Sequence, residues 1–249
     1  MKRATITGID GLIGSNLNKR LLSMGWETFP TMRPDVDYVF LFGSPSSNNW
    51  YNYALSYSVR ETVENMLNAL DFCQTNKIKL IYPSSATIYE GTTPYAKTKK
   101  TLELLASIYP VKSLGLRIFA GYGVGEEHKK EYASTVYSFT KDMMGGKTPV
   151  IWGDGKQTRD WIYIDDIVDN IIKFKDEVGT VEIGTGVNTS MNDLVRIINE
   201  ELETKFKPTH IPKPTNYIDK TICKNPCKYK VSLREGIQKI IDSIVCFYE

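Results

Sequence analysis

The 249-residue chain has few of the side chains that most often bind metals. It contains two histidines and four cysteines, and the cysteines at positions 73, 223, 227 and 246 form no Cys-x-x-Cys pair. Cys223 and Cys227 are spaced like possible metal ligands, but no second pair or suitably placed histidine accompanies them. We therefore predict no metal site, and we expect free thiols in a reducing cytosol.

Long apolar runs and a strong charge excess are also absent. No segment approaches the roughly eighteen consecutive apolar residues of a membrane helix, and the N-terminal apolar run is too short for a signal peptide. Lys and Arg total 31 against 29 acidic residues, so the net charge of +2 gives no reason to expect nucleic acid. The expectation is a cytoplasmic globular protein with neither a membrane nor a nucleic-acid partner.

The first half of the chain alternates short β-rich segments with helical patterns, which is typical of a parallel sheet with crossover helices. Few residues separate the second and third predicted strands, Pro30 and Pro34 among them, so a further helix and strand cannot fit there. Strands are predicted over residues 3–7, 27–31, 38–42, 79–82, 113–119, 161–164 and 181–183. Helices are predicted over residues 12–24, 53–75, 95–108 and 131–144, and from residues 165 and 190.

A glycine-rich loop follows the first predicted strand directly, with glycines at positions i, i+3 and i+6. Gly8 permits a tight turn, Gly11 lets the backbone approach a pyrophosphate, and Gly14 allows close packing of helix on strand. The N-terminus of the following helix then offers N–H groups to phosphates. The sequence predicts a dinucleotide site formed by Gly8, Asp10, Gly11, Leu12, Ile13 and Gly14.

Together these patterns predict an α/β protein with a Rossmann-type, doubly wound parallel sheet that is trimmed, and a small C-terminal substrate-binding lobe. Residues 1–120 with about 150–185 are assigned to the NAD(P)-binding domain. Residues about 121–149 with 186–249 are assigned to the substrate-binding lobe.

The choice between NAD and NADP depends on the end of the second strand, where a carboxylate would bind the ribose 2′-hydroxyl of NAD. The sequence there reads Thr31-Met32-Arg33, and the first acidic residue is Asp35. Arg33 is either a solvated surface residue or a partner for the 2′-phosphate of NADP. We predict NAD or NADP as cofactor, with Arg33 favouring NADP.

A serine, a tyrosine and a lysine follow the fourth predicted strand. Tyr95 and Lys99 are four residues apart and share one face of a helix. A nearby ammonium group favours the tyrosinate, and Ser85 could hydrogen-bond the reacting oxygen. The predicted catalytic set is therefore Ser85, Tyr95 and Lys99, with Tyr95 exchanging a hydroxyl proton while nicotinamide exchanges a hydride.

These motifs, taken together, resemble the extended short-chain dehydrogenases, the NAD-dependent epimerase/dehydratase family. The most specific stretch, Gly153-Asp154-Gly155-Lys156-Gln157-Thr158-Arg159-Asp160-Trp161-Ile162-Tyr163-Ile164-Asp165-Asp166, belongs to the same resemblance. The matching segments cover essentially the whole chain and lie at residues 7–14, 84–87, 94–99, 116–119, 153–166, 183–186 and 231–236.

The resemblance implies a nucleotide-sugar substrate whose diphosphate is held by the C-terminal lobe. Arg159 matches an arginine that contacts the substrate phosphates, although a salt bridge to Asp160 or Asp165 is an alternative. The implied cofactor contacts are Gly43, Ser44 and Phe119, together with Tyr95 and Lys99, and the implied substrate contacts are Ser85, Ala86, Ala120 and Arg159. Ala120 departs from the asparagine that many members have at its position.

The loop around Lys129 resembles that of ADP-heptose 6-epimerases, in which a lysine at the matching position is a second acid/base. The alternative is a solvent-facing loop lysine. Ser85 and Tyr95 are only ten residues apart, a shorter loop than most members have. The Thr-Asp-Glu signature of sugar 4,6-dehydratases is absent, which disfavours dehydration.

The leading hypothesis is a nucleotide-sugar epimerase working through a keto-sugar intermediate. The alternatives are an NADPH-dependent 4-keto-sugar nucleotide reductase and a catalytically idle nucleotide-binding protein. The resemblance also implies a possible homodimer through the helices predicted at residues 53–75 and 95–108.

Overall fold

The computed structural model describes residues 1–214 and 217–246. Its strands are β1 (Arg3–Thr7), β2 (Glu27–Phe29), β3 (Tyr38–Leu41), β4 (Lys79–Pro83), β5 (Ser113–Ile118), β6 (Ala120–Tyr122), β7 (Val150–Trp152), β8 (Thr158–Tyr163), β9 (Gly179–Ile183), β10 (Asn188–Ser190) and β11 (Thr209–Ile211). Its helices are α1 (Leu12–Ser23), α2 (Asn48–Tyr53), α3 (Leu55–Asn76), α4 (Pro94–Ile108), α5 (Thr135–Met144), α6 (Ile164–Phe174), α7 (Met191–Glu201) and α8 (Leu233–Val245).

The main sheet has six parallel strands in the order β2-β1-β3-β4-β5-β9. All four residues of β3 are buried, as expected of a strand covered by helices on both faces. Residues 30–37, which join β2 to β3, form neither helix nor strand, so the sheet ends at β2. A Rossmann sheet normally continues one strand further on that side. The predicted fold class and its trimming are therefore confirmed.

A hydrophobic core packs the sheet against α3 and α4. Its members include Leu80 on β4, Met66 and Leu70 on α3, and Leu102 on α4, all at most 1% exposed. The helices are amphipathic, so each buries one apolar stripe against the strands. This packing fixes α4, and with it the residues of the predicted catalytic set, relative to the end of β4.

The chain divides into two compact units. Unit 1 comprises Met1–Ile118 and Val168–Ile183, and unit 2 comprises Phe119–Ile167 and Gly184–Glu249. The sequence had assigned residues from about 150 to 167 to the cofactor domain, whereas this division places them in unit 2. The reason is that β8 pairs with β6 and β10, and none of these three strands joins the main sheet.

Local structure differs from the predicted elements in a few places. A helix was predicted from residue 131, but α5 begins at Thr135 after a separate 3₁₀ segment, Glu127–Tyr132. Lys130 interrupts that segment with φ 49° and ψ −121°, a conformation that no helix accommodates. The sequence also gave no indication of α2, or of α8 with its capping box between Ser232 and Glu235.

Candidate functional site

The glycine loop packs backbone against backbone at the end of β1. Gly8 has φ +66°, and a Cβ atom there would lie 2.6 Å from the Gly43 amide nitrogen. A Cβ atom on Gly14 would lie 2.1 Å from the Gly8 carbonyl oxygen. Only glycine permits these approaches, so the loop, the first turn of α1 and the end of β3 form one tightly packed group.

The N-terminus of α1 carries no side-chain cap. Gly11 is the N-cap residue, and no acidic residue occupies the first turn. The N–H groups of Leu12, Ile13 and Gly14 therefore lie at the positive end of the helix, without a carboxylate of that turn to bind them. Asp10 lies just before this end and is exposed. The arrangement suits an anionic group such as a pyrophosphate.

Two side chains that sequence reasoning missed hold Gly43 in place. The Thr7 hydroxyl oxygen accepts hydrogen bonds from the amides of Phe42 (3.2 Å) and Gly43 (3.3 Å). Asn65 on α3 donates to the Gly43 carbonyl at 3.0 Å. Gly43 and Ser44 thus leave β3 along a fixed path beside the glycine loop. Polar residues of this kind give no sequence signal, because their partners are distant backbone atoms.

Arg33 lies just beyond β2 and is already paired. Its Nε and Nη2 atoms each donate to the Asp35 carboxylate at 3.0 Å. The guanidinium carbon lies 4.3 Å from the centroid of the Phe29 ring. The hydrogen bonds from Arg33, with those from Arg3, hold the pKa of Asp35 well below its usual range. The positive charge predicted to attract a 2′-phosphate is therefore matched by a neighbouring carboxylate.

Tyr95 and Lys99 lie in the first two turns of α4. Thr93 caps the helix by accepting a hydrogen bond from the Ala96 amide at 3.1 Å, and Pro94 occupies the first helical position. Lys99 Nζ lies 5.6 Å from the centroid of the Tyr95 ring. Tyr95 is 8% exposed and Lys99 is 1% exposed. The structure therefore brings these two residues together as the four-residue spacing predicted.

Burial dominates the electrostatics of this pair. It raises the pKa of Tyr95 to about 12, although a hydrogen bond with Ser85 acts in the opposite direction. It also lowers the pKa of Lys99 to about 8. Within the described part of the chain, Lys99 forms no ion pair with a carboxylate. A buried ammonium without a counter-ion is costly, which is typical of a group kept for binding or catalysis.

Ser85 begins the 3₁₀ segment Ala86–Tyr89, directly after β4. Its hydroxyl oxygen accepts hydrogen bonds from the Thr87 amide (3.2 Å) and the Thr87 hydroxyl (3.0 Å). Because a serine hydroxyl has a single hydrogen and two acceptor positions, the hydrogen of Ser85 remains for donation. Ser85 is 6% exposed and the adjacent Ala86 is 4% exposed. The catalytic set is thus assembled from the end of β4 and the start of α4.

A polar network that is buried at Ser84 and Glu103 and exposed at Tyr89 braces the short connection between Ser85 and Tyr95. The Ser84 hydroxyl donates to Glu103 on α4 at 2.6 Å. Arg117 on β5 donates to both Glu103 carboxylate oxygens at 2.9 Å, and to the Tyr89 hydroxyl at 2.9 Å. Tyr89 in turn donates to Glu182 on β9. Sequence reasoning missed this network, because its members are far apart in the chain and each is an ordinary polar residue.

In unit 2, Lys129 is held by a buried carboxylate. Lys129 Nζ donates to Glu126 at 3.2 Å. Glu126 is fully buried and also accepts from the Gly123 amide (3.1 Å), the Ser134 amide (2.7 Å) and the Ser134 hydroxyl (2.7 Å). The loop predicted to carry a second acid/base is therefore ordered around Glu126, which the sequence analysis did not single out.

Arg159 on β8 is oriented by backbone oxygens and by a ring. It donates to the carbonyls of Thr158 (2.8 Å) and Ile218 (2.7 Å), and its guanidinium lies 5.2 Å from the Tyr217 ring centroid. The next residue, Asp160, is fully buried and organises the loops beneath the strand. It accepts hydrogen bonds from the amides of Thr185, Gly186 and Cys223 at 2.8–2.9 Å.

Phe119 and Ala120, which were predicted to contact the cofactor and the substrate respectively, are the first two residues of unit 2. Phe119 is 5% exposed, and a Cβ atom on Gly184 would lie 2.8 Å from its ring, so the two are tightly packed. Ala120 is half-buried at the start of β6 and pairs in register with Trp161 on β8. The structure thus places Phe119, Ala120, Lys129 and Arg159 in one unit, and the glycine loop and the catalytic set in the other.

Comparison with known proteins identifies the family. The model of the NAD dependent epimerase/dehydratase family matches residues 29–188, which is more than half of the chain. The chain belongs to this family. The resemblance found in the sequence motifs is therefore confirmed, and at 249 residues the chain is a short member.

Relatives of this chain include a putative UDP-glucose 4-epimerase of Methanocaldococcus jannaschii, which is 31% identical over 163 residues. That match covers 60% of this chain and 52% of the relative, so the chain spans about half of the relative's length.

Two of the solved structures that share the fold of this chain are epimerases of UDP-sugars. One is the UDP-glucose 4-epimerase of Thermotoga maritima with UDP-glucose, at TM-score 0.87 and 22% identity, covering 99% of this chain and 100% of that one. The other is the UDP-glucuronic acid 4-epimerase of Bacillus cereus with UDP-glucuronic acid and NAD, at TM-score 0.86 and 19% identity, with the same coverage. At these identities the likeness shows a common fold.

Two further observations concern metal ions and membranes. Within residues 1–214 and 217–246, no group of three or more His, Cys, Asp or Glu side chains is placed to hold a metal ion. Over the same residues, no helix is both long enough and apolar enough to cross a membrane.

Proposed function

We propose that this chain is an NAD(P)-dependent nucleotide-sugar epimerase that works through a keto-sugar intermediate. The observation that carries the proposal is the arrangement of Tyr95. Its buried phenol has a hydrogen bond with Ser85 and lies beside the Lys99 ammonium group, which forms no ion pair with a carboxylate of the described residues. Proton exchange with a sugar hydroxyl needs such an acid–base group in a water-poor site. A putative UDP-glucose 4-epimerase among the relatives and a UDP-glucose 4-epimerase of the same fold support the same class of reaction.

The chain has a cradle that fits a dinucleotide. The capless N-terminus of α1 at Gly11 would bind the pyrophosphate, and the absence of a side chain there leaves room for it. Gly43, Ser44 and Phe119 would contact the cofactor, as would Lys99, whose buried ammonium suits ribose hydroxyl groups. When bound, the cofactor supplies a hydride acceptor, and then a hydride donor, for one carbon of the sugar.

Tyr95 would remove and return the proton. As the phenolate it takes the proton of a sugar hydroxyl while the carbon that bears this hydroxyl is oxidised. As the phenol it returns the proton when the same carbon is reduced. Ser85 would donate a hydrogen bond to the same sugar oxygen by turning its one hydrogen from Tyr95 to the bound substrate. Lys99 would stabilise the phenolate by its positive charge.

Unit 2 would hold the rest of the substrate. Arg159 presents a planar donor group whose orientation is fixed by two carbonyls and the Tyr217 ring, which suits a diphosphate. Ala86 and Ala120 would contact the sugar. We also propose Lys129 as the second acid/base, acting on the sugar after exchanging its contact with Glu126 for the substrate.

The chain is further proposed to form a homodimer through α3 and α4. Leu104 and Ile108, four residues apart on α4, are 58% and 73% exposed and could together pack against a second copy. Light scattering on the purified protein tests this: a mass of one chain, 28.3 kDa, would contradict it.

The epimerase proposal is tested with a panel of nucleotide sugars that includes UDP-hexoses and ADP-heptose, each incubated with catalytic NAD or NADP. Proton NMR follows the products, and Tyr95→Phe is the control. A stereoisomer formed without net change of cofactor, and absent with the variant, is the expected result. NADPH consumed only on 4-keto sugars would instead make the chain a reductase, and failure to bind any dinucleotide would overturn both.

A further inference from the structure

Tyr51 anchors the short helix α2 in the interior of unit 1. It is 1% exposed, whereas Tyr53 in the same helix is 83% exposed and Asn52 is also exposed. A six-residue helix has little stability of its own, so α2 depends on the packing of side chains such as Tyr51. Neither the motifs of the sequence nor the proposed reaction assigns a role to this residue.

The ring of Tyr51 packs on the ring of Tyr95. The two centroids are 5.2 Å apart and the planes make an angle of 71°, an edge-to-face arrangement. Lys99 Nζ lies 5.6 Å from the centroid of the same Tyr95 ring. The neighbours of the Tyr95 side chain therefore come from three elements: Tyr51 from α2, Lys99 from α4, and Ser85 from the segment after β4.

The hydroxyl of Tyr51 connects α3 to the first turn of α4. It forms a hydrogen bond of 2.7 Å with Thr62 on α3, and it also interacts with Thr98 on α4. The Thr98 hydroxyl donates to the Pro94 carbonyl at 2.9 Å, so it can only accept from Tyr51. Pro94 and Thr98 bracket Tyr95 in the chain, so this row of hydroxyls fixes the turn that carries it.

The chain segment that leads into α2 begins at Gly43. Only Ser44–Ser47 separate Gly43 from the helix, and Ser47 caps the helix at the Trp50 amide. Gly43 is itself held by Thr7 and packed on Gly8. A short segment thus leads from Gly43, beside the glycine loop, to Tyr51, whose ring packs on Tyr95.

We propose that Tyr51 is a positioning residue for Tyr95: its ring sets the orientation of the Tyr95 phenol, and its hydroxyl fixes the first turn of α4. The proposal rests on the proposed function in taking Tyr95 as the group that exchanges the proton. Because a reacting group displaced by about 1 Å can lose on the order of a hundredfold in rate, positioning of this kind is measurable.

Two substitutions separate the ring from the hydroxyl. Tyr51→Phe keeps the ring on Tyr95 and removes the link to Thr62 and Thr98, whereas Tyr51→Leu removes both. The matched control is Tyr38→Leu. Tyr38 is also a buried tyrosine with two aromatic neighbours and a hydroxyl hydrogen bond of 2.6 Å, to Asp176, but it lies at the other end of β3 from Gly43.

Turnover is the first readout. We expect kcat to fall about tenfold or more in Tyr51→Leu, with KM and NAD(P) affinity changed less than about twofold, and Tyr51→Phe to recover most of kcat. Tyr38→Leu should lose thermal stability to a similar extent but keep kcat. Equal loss of kcat in the control, or wild-type kcat in Tyr51→Leu, would overturn the proposal.

A second readout needs no substrate, and therefore tests Tyr51 even if the nucleotide-sugar panel finds no activity. Tyrosine labelled with carbon-13 at Cζ reports ionisation by NMR, and Tyr95→Phe assigns the Tyr95 signal. The wild type and Tyr51→Phe should titrate at Tyr95 with a pKa near 12. Tyr51→Leu should titrate at lower pH, because water reaches the phenol. An unchanged titration in Tyr51→Leu would contradict the proposal; if that variant does not fold, Tyr51→Met takes its place.

Discussion

Arg33 and Asp35 form a two-point ion pair just beyond the second strand, with both hydrogen bonds at 3.0 Å. The pair stacks on Phe29, and Arg3 donates to the same carboxylate. Arg33 is the residue that favoured NADP in the sequence, but its charge is matched here by Asp35. The same carboxylate is the first acidic group after β2, and its negative charge would repel a 2′-phosphate.

We therefore expect the chain to bind NAD more tightly than NADP, and Asp35→Asn to reverse part of this preference. Removal of the carboxylate frees Arg33 for a 2′-phosphate, so the affinity for NADPH should rise about tenfold while that for NADH falls. Isothermal titration with both dinucleotides measures this. Asp37→Asn is the control, because Asp37 accepts only a backbone hydrogen bond from Arg3. Tighter binding of NADPH than NADH by the unaltered chain would contradict the expectation.

Lys99 is expected to reduce stability while serving the active site. Its folded-state pKa of about 8 lies below the ordinary lysine value, so the unfolded chain binds the proton more tightly. Below pH 8 the buried ammonium lowers the free energy of unfolding by about 3 kcal/mol, and this loss disappears as the pH rises towards about 10.5. Lys99→Met should therefore unfold at higher urea concentration than the wild type at pH 7, with the difference shrinking at pH 10. Turnover should be lost. A less stable variant at pH 7 would contradict this prediction.

The buried network behind Ser85 should make Glu103 important for stability. Glu103→Gln leaves Arg117 without its counter-ion, which should cost about 3 kcal/mol in the free energy of unfolding. Burial alone would raise the pKa of Glu103, but hydrogen bonds from Arg117 and Ser84 outweigh burial and lower it. Its contribution is therefore present at neutral pH and is lost as the pH falls below about 4. Denaturation at pH 7 and at a series of pH values below about 4 should show the unfolding free energies of the wild type and the variant converging as the pH falls.

A double variant, Glu103→Met with Arg117→Met, distinguishes a lost ion pair from lost packing. It removes both charges, so it should be more stable than Glu103→Gln. If Glu103→Gln and the double variant both unfold at the same urea concentration as the wild type, the network does not stabilise the fold.

Gly14→Ala should prevent the close packing of α1 on the glycine loop. A Cβ atom there would meet the Gly8 carbonyl at 2.1 Å, so the backbone must shift. We expect a loss of about 1–3 kcal/mol in stability and loss of dinucleotide binding. Gly145→Ala, whose added Cβ would have ordinary contacts at 3.5 Å, should keep both. Thermal melting of both variants with and without NAD measures stability and binding. Retained NAD binding in Gly14→Ala would contradict the assignment of the glycine loop as the dinucleotide site.

Lys129→Met tests the proposed second acid/base. Epimerisation should fall at least a hundredfold, because only one face of the keto sugar retains a proton donor. Oxidation of the substrate, seen as NADH absorbance in a single turnover, should remain. Lys130→Met is the control, since Lys130 is the neighbouring basic residue of the same 3₁₀ segment. Full epimerase activity in Lys129→Met would contradict the proposed role, and the ion pair with Glu126 would then be a structural contact.

Local patterns were sufficient for the parts of the fold that depend on local chemistry. The glycine spacing at residues 8–14, the apolar run of β3 and the four-residue separation of Tyr95 and Lys99 predicted α1, a buried central strand and a shared helix face. The glycine loop at Gly8 and the pairing of Tyr95 with Lys99 follow from chain geometry over a few residues. The interactions of Asn65 with Gly43 and of Ser84 with Glu103 do not, since they join residues about twenty positions apart.

The sequence by itself determined the trimmed parallel sheet, the family and the identity of the catalytic candidates, because strand and helix periodicity and backbone-specific glycines act over short distances. Tertiary structure alone decided that Arg33 is paired with Asp35, that Lys129 is held by Glu126, and that Tyr51 lies on Tyr95. In each case the partner is set by how loops and helices pack. Burial then shifts the pKa values of Tyr95 and Lys99, because desolvation depends on surrounding atoms contributed by the whole fold.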